Sequence, residues 1–282
     1  MPTQYGVMQG RLSPPVDGRF QSFPRNTWRS ELPGAREAGF SYIEWIYDDY
    51  GASANPLTTD PGIDELIALK EQYGIATAAV CGDWFMDFPF IRCTEGERAR
   101  RERFLAALLR AAARISAHHL VLPFVDQSSI RTEEEKQIVL NVLTDGLKTA
   151  ESTGVELHLE ADFNPQDFAA FLARIPHPML KVNWDSGNSS GLGYVASEEF
   201  AAYGDRIGSV HIKDRFRKPD GSVETRPLGT GSADFDDVFA SIRRIGYKSG
   251  ITLQVARGTP GDEVNFLRTQ LAYVQARWER LQ

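Results

Sequence analysis

Cysteine is nearly absent from this chain of 282 residues. The two present, Cys81 and Cys93, are too few for a disulfide framework and show no metal-type pairing, so they are expected as free thiols of a reducing, cytoplasmic compartment. Positive charge is also in deficit. With 31 Lys and Arg against 38 Asp and Glu the net charge is −7, which disfavours a nucleic-acid backbone or an anionic membrane as partner, because both are held by clustered Lys and Arg. A small-molecule partner is expected instead, with room left for a homo-oligomer. No run of about 18 apolar residues occurs, and the opening MPTQYGVMQGRL lacks a basic region followed by an apolar one, so neither a membrane span nor a secretion signal is indicated. No Pro/Ser/Gly linker or low-complexity tract divides the sequence, and one domain over residues 1–282 is the economical expectation.

What the chain does contain is an alternation. Short apolar stretches at Tyr5 to Gln9, Tyr42 to Ile46, Thr77 to Cys81, His119 to Pro123, Glu156 to Glu160, Leu180 to Asp185, Ser209 to Lys213 and Ile251 to Val255 read as strands. Longer amphipathic stretches lie between them: Ile63 to Tyr73, Gly96 to Ile115, Glu133 to Thr153, Gln166 to Ile175, Ser197 to Arg206, Phe235 to Ile245 and a last one from Gly261 to Leu281. Gly39, Gly74, Gly154, Gly208 and Gly246 stand where left-handed helix ends are expected. About eight such units predict an α/β fold, a (β/α)8 TIM barrel, with functional residues at the C-terminal ends of its strands.

Strand parity then sorts the side chains. In the last four strands Leu157 and Leu159, Val182 and Trp184, Val210 and Ile212, and Leu253 and Val255 face one way. The opposite, inward face ends in Glu160, Asp185, His211 and Gln254. Three oxygen ligands and an imidazole suit a divalent cation such as Mn2+, Mg2+, Co2+ or Zn2+, while the lack of thiolates disfavours a structural zinc site. Two residues deeper, His158, Asn183, Ser209 and Thr252 are polar where barrel interiors usually hold branched aliphatics, as expected of groups that orient metal ligands.

The segments LHLEAD (157–162), VNWDSGN (182–188), SVHIKDR (209–215), PLGTGSADF (227–235) and ITLQVAR (251–257), with the opening GVMQGRLSP (6–14), resemble the xylose isomerase-like barrel superfamily, close to sugar-phosphate isomerases and epimerases and to ketose 3-epimerases. The resemblance implies Glu160 as metal ligand and acid/base group, Asp185 and His211 as ligands, and Gln254 as the fourth, where epimerases carry Glu. An amide can ligate through its carbonyl oxygen but cannot exchange a proton. The implied activity is a metal-dependent isomerase or epimerase of a small sugar or sugar phosphate, working through an enediolate with Glu160 as base. Rival outcomes are a dehydratase of a keto-polyol and a sugar-binding barrel altered by Gln254.

His158 and Lys213 are candidates for returning the proton, and Lys213 also for steadying an oxyanion. Arg11, Glu44, Asn183, Asp214 and Arg257 are candidates for binding the substrate, with Asp126, Arg215, Arg217 and Lys218 near the same strand ends. Trp45, Trp84, Phe85, Phe88 and Phe90 could wall a sugar ring. The segment Pro227 to Phe235 suggests a tight loop over the mouth, and His118, His119 and His177 fall at the opposite end.

Overall fold

Stretches such as Tyr42–Ile46 are too brief for a stable helix and bury side chains on both faces, the signature of strands covered on two sides. In the computed structural model, which describes residues 4–280, these stretches are the staves of a closed barrel. The strands in chain order are β1 (Tyr5–Met8), β2 (Tyr42–Ile46), β3 (Ala76–Cys81), β4 (His119–Phe124), β5 (Glu156–Ala161), β6 (Leu180–Asp185), β7 (Ile207–Ile212), a hairpin of β8 (Asp214–Arg217) and β9 (Val223–Arg226), and β10 (Ile251–Leu253). All but the hairpin form the parallel barrel, in sequential order, with β10 closing between β7 and β1. The expected (β/α)8 barrel is what the chain forms.

Around it run α1 (Trp28–Ala38), α2 (Asp60–Tyr73), α3 (Trp84–Asp87), α4 (Glu95–Arg114), α5 (Glu133–Thr153), α6 (Pro165–Ala173), α7 (Ser186–Leu192), α8 (Ala196–Tyr203), α9 (Phe235–Arg244) and α10 (Glu263–Arg280). Side-chain caps set where several of them begin. Thr94 accepts from the backbone of Glu97 while Glu97 reaches back to Thr94, and Thr59, Thr132 and Asn164 cap α2, α5 and α6. The apolar faces of strands and helices merge into one continuous core.

Gly39, Gly74, Gly154 and Gly246 take the left-handed conformation expected of them, with φ of 93°, 63°, 71° and 67°. Gly208 does not. It lies inside β7, and a Cβ there would stand 2.6 Å from the His158 ring, so this glycine makes room for a buried imidazole and ends no helix.

The structure also holds elements that the sequence pattern hides. Helix α1 carries Pro33 in its interior, a helix breaker by composition. Helix α7 reads SGNSSGL, poor in helix formers, and is started by the Asp185 side chain, which accepts from the backbone of Gly187 and Asn188 at 2.7 and 2.8 Å. The β8–β9 hairpin turns at Lys218-Pro219-Asp220-Gly221, with Gly221 at φ 85°. Strand β10 is shorter than expected, yet Gln254 still donates its backbone N–H to Ile212 at 3.0 Å and stays in register with the barrel. Residue 281 of the last predicted helix lies outside the described residues.

Candidate metal centre and barrel mouth

Register decides which inward side chains meet. Asp185 pairs with His211 across β6 and β7, and Glu160 is the penultimate residue of the neighbouring β5. One ligand atom from each of the three lies within 4.8 Å of the other two, and all three residues are buried. His211 Nδ1 is 3.7 Å from Glu160 Oε2 and 4.0 Å from Asp185 Oδ2, separations too long for hydrogen bonds. Asp185 spends Oδ1 on the start of α7, while its Oδ2 is buried without a partner. Such an oxygen costs about 1–3 kcal/mol unless something positive faces it. On the far side of the imidazole, His211 Nε2 lies 2.9 Å from Glu44 Oε1. An ionised carboxylate only accepts, so the ring donates there and turns Nδ1 toward the other acids. A carboxylate behind an imidazole is how proteins orient a metal-binding histidine, and two carboxylates with one imidazole suit a divalent cation. The residues present fit a metal.

The charges reinforce one another. Burial, then the charge of Asp185, pushes the Glu160 carboxyl up to about 7. Burial would raise Asp185 too, but the Lys213 ammonium and His211 outweigh it and hold Asp185 below the ordinary carboxylate range. Burial likewise acts to lower His211, yet Glu44 overrides it and lifts the imidazole to about 9. A bound cation would take the place of that proton.

Asn183 and Asn188 hold Glu160. Asn183 Nδ2 donates to Glu160 Oε2 at 2.8 Å, Asn188 donates to Oε1, and Ser209 Oγ donates to Asn183 Oδ1 at 2.6 Å. Lys213 is buried between Asp185 Oδ2 at 3.6 Å and Gln254 Oε1 at 2.9 Å. Gln254 therefore reaches the mouth, with its carbonyl engaged by the lysine and its amide donating to Gln21 Oε1 at 3.1 Å. Glu160, Asn188, Lys213 and Gln254 line a cavity of about 290 Å³, which Arg19, Phe20, Asp126 and Arg215 also border. That volume suits a small ligand.

Several expected site residues stand elsewhere. His158 faces the other end of the barrel, where it hydrogen-bonds Ser209 and Glu156 and lines a separate hollow. Arg11 is buried and spends its donors on the Val255 and Phe20 carbonyls and on Gln21. Arg257 similarly holds the Phe20 and Ser13 carbonyls. Both brace the loop after β1 and border no part of the mouth. Glu44 contacts His211 and Thr252, and Asn183 contacts Glu160 and His211, so each supports a member of the triad. Asp214 is fully buried and accepts from the backbones of Gly229, Gly231 and Ala233, fastening the 227–235 loop. Arg217 and Lys218 extend along the hairpin. Trp45 packs against Phe23 and Trp28, and Trp84, Phe85 and Phe90 pack with Phe104 and Phe124, all as core. The mouth's aromatics are Phe20 and Tyr50, which the sequence pattern did not single out. Asn188 stood in a quoted motif, three residues past Asp185, where one helical turn returns it toward Glu160; Gln21 and Arg19 come from a loop without a periodic signal.

The profile of the family described as xylose isomerase-like TIM barrel matches residues 33–270. A Haemophilus influenzae protein provisionally named L-ribulose-5-phosphate 3-epimerase is 22% identical over 251 residues, covering 83% of this chain and 86% of that protein. The crystal structure of D-allulose 3-epimerase from Methylomonas sp. in complex with D-allulose superposes with a TM-score of 0.74 at 19% identity, over 98% of this chain and 97% of that one. The IOLI protein with a bound zinc atom superposes with a TM-score of 0.77 at 18% identity, over 98% and 99%. The chain belongs to the xylose isomerase-like TIM barrel family.

Proposed function

We propose that this protein is a divalent-metal-dependent sugar isomerase or epimerase that moves a proton at the carbon beside the carbonyl of a small sugar or sugar phosphate, with Glu160 as base. The observation that carries this is the buried Glu160, Asp185 and His211 triad, whose Asp185 Oδ2 makes no hydrogen bond and has the Lys213 ammonium near it at 3.6 Å, while Glu160 also lines the cavity. The names of the matched sugar epimerases and the zinc in the IOLI structure support it.

The cation would be held by Glu160, Asp185 and His211, and when bound it would acidify the carbon next to a carbonyl by withdrawing electron density. The chain's own groups do the rest. Asn183 and Asn188 fix both oxygens of Glu160, so its lone pairs are aimed and not free to rotate. Lys213, clamped by Gln254, presents positive charge at the cavity where an enolate oxygen would develop. Phe20 and the loop braced by Arg11 and Arg257 narrow the mouth against water. Two free thiols, one of them buried, accord with a reducing cytoplasm. Among the described residues no helix is long and apolar enough to cross a membrane.

The test is proton–deuterium exchange. Metal-loaded protein in D2O, given a panel of ketoses, aldoses and their phosphates, should place deuterium beside the carbonyl of at least one member. Glu160→Gln should slow that exchange by about 10³-fold with the fold intact by circular dichroism. No exchange with any panel member at full metal occupancy refutes the proposal.

A further inference from the structure

Gln254 leaves a chemical gap. Inverting a carbon beside a carbonyl takes one proton-handling group on each face, and an amide at neutral pH can neither take nor give a proton. An inverting enzyme would need that partner from another residue of the mouth, where the Lys213 ammonium is already held by Asp185 and Gln254. The carboxyl groups that line it, besides Glu160, are Asp48, Asp83, Asp87 and Asp126. Asp48 uses both oxygens as backbone acceptors, from Phe23 at 2.8 Å and Gly51 at 2.7 Å. Asp126 and Asp87 are exposed, and Asp87 takes the Gln127 amide at 3.0 Å.

Like Asp48, Asp83 accepts at both oxygens, but from side chains and not from backbone, and one of them is a thiol whose sulfur can accept in turn when the carboxyl carries a proton. Asp83 follows β3, two strands from Glu160 around the barrel, and is half-buried. Its Oδ2 accepts from Gln21 Nε2 at 2.8 Å and its Oδ1 from the Cys81 thiol at 3.1 Å. Gln21 Oε1 in turn accepts from Gln254 Nε2 at 3.1 Å and from Arg11 at 3.0 Å. Two amides thus run from the eighth barrel strand to a carboxyl group, and a buried guanidinium locks the joint between them. Burial pushes Asp83 above the ordinary carboxylate range, with its hydrogen bonds only partly opposing.

We propose that Asp83 is a second catalytic residue, the acid that serves the substrate face opposite Glu160, and that the enzyme therefore inverts a hydroxyl-bearing carbon next to a keto group. This rests on the isomerase or epimerase reading of the mouth. Glu160 takes the proton from that carbon, and the C–H electron pair becomes the C=C bond of an enediolate while the carbonyl oxygen gains the negative charge. The charge then returns, and the carbon takes the Asp83 proton on its other face. Glu160 ends protonated and Asp83 ionised, exchange with water resets both, and no oxidant or reductant is consumed.

The test uses full-length, metal-loaded Asp83→Asn and a panel of 2-ketopentoses and 2-ketohexoses, free and phosphorylated, in D2O. Wild type should yield the epimer with solvent deuterium at the inverted carbon. Asp83→Asn, which keeps an acceptor for Gln21, should still wash deuterium into the starting ketose through Glu160 while inverting it about 10²-fold or more slowly. Metal content and thermal midpoint control for folding, and Asp83→Glu should recover part of the inversion. Asp83→Asn inverting within about twofold of wild type overturns the proposal. So does wild type giving only an aldose, or a folded Asp83→Asn that loses exchange and inversion together. Wild type that neither exchanges nor inverts any ketose or aldose refutes the functional reading itself, and this inference with it.

Discussion

The two ends of the barrel bury the same kinds of side chain and use them in opposite ways. At the mouth, His211 stands among Glu44, Glu160 and Asp185, and the Glu44 carboxylate carries the imidazole up to about 9 against its burial. At the other end, on the strand that supplies Glu160, His158 stacks on His119 with ring centroids 4.0 Å apart. There burial, aided by Lys181, pushes the imidazole down to about 3. The hollow beside His158 is the larger, about 970 Å³ against about 290 Å³. Size therefore does not mark the working end. What marks it is carboxylates converging on an imidazole, with one buried oxygen left without a hydrogen bond.

The comparison is most easily broken at Asp185. Asp185→Asn keeps the shape and the cap on α7 but removes the charge, so metal affinity and turnover should each fall by roughly 10³-fold, read by metal titration and by exchange kinetics. Retention of both would mean that the mouth is no more a cation site than the opposite end. His158→Ala tests the other side. It should cost about 2 kcal/mol in urea unfolding through lost packing and hydrogen bonds, with metal content and turnover per folded molecule unchanged. A folded His158→Ala without turnover would make that imidazole part of the chemistry after all.

The last test concerns Glu31, fully buried on α1, which accepts from Gly10 N–H at 2.8 Å and Ser13 Oγ at 2.7 Å and so braces the loop behind the mouth. Burial pushes its carboxyl up to about 7, so the folded chain holds the proton more tightly than the unfolded one. Its stabilising contribution is complete below the ordinary value of about 4.5 and is lost as pH rises through about 7, by at most about 1.4 kcal/mol per pH unit. Relative to Glu31→Gln, wild type should therefore lose stability between pH 5 and pH 8 in urea titrations. A gap that does not change with pH would show Glu31 ionised in the fold.

Strand parity made Glu160, Asp185 and His211 legible, because a two-residue period on adjacent parallel strands leaves few ways to aim an inward side chain. Parity says inward, however, and not which end. His158 and Glu160 share a face of β5, yet one layer of barrel depth separates a hydroxyl-lined pocket from a ring of charge. Arg11 and Arg257 misled for a related reason. Their place after strands β1 and β10 is right, but a guanidinium buried there must satisfy its donors, and nearby backbone carbonyls claim them before any substrate can. Gln21, Asp83 and Phe20 were hidden because loop conformation, which carries no period, brings them to the mouth. The hairpin was in principle visible, since a Pro-Asp-Gly turn lies between two stretches of alternating side chains.

Asp185 begins α7 with one oxygen and faces the metal centre with the other, and α7 delivers Asn188 to Glu160. A lineage that puts a residue unable to cap at this position loses a helix start, a candidate metal ligand and the hold on Glu160 in one mutational step, and only reversion restores all three. New substrate preferences in such a barrel should therefore arise where side chains have one employer only, at Arg19, Phe20, Asp126 and Arg215 around the rim, leaving residue 185 fixed while its surroundings diversify.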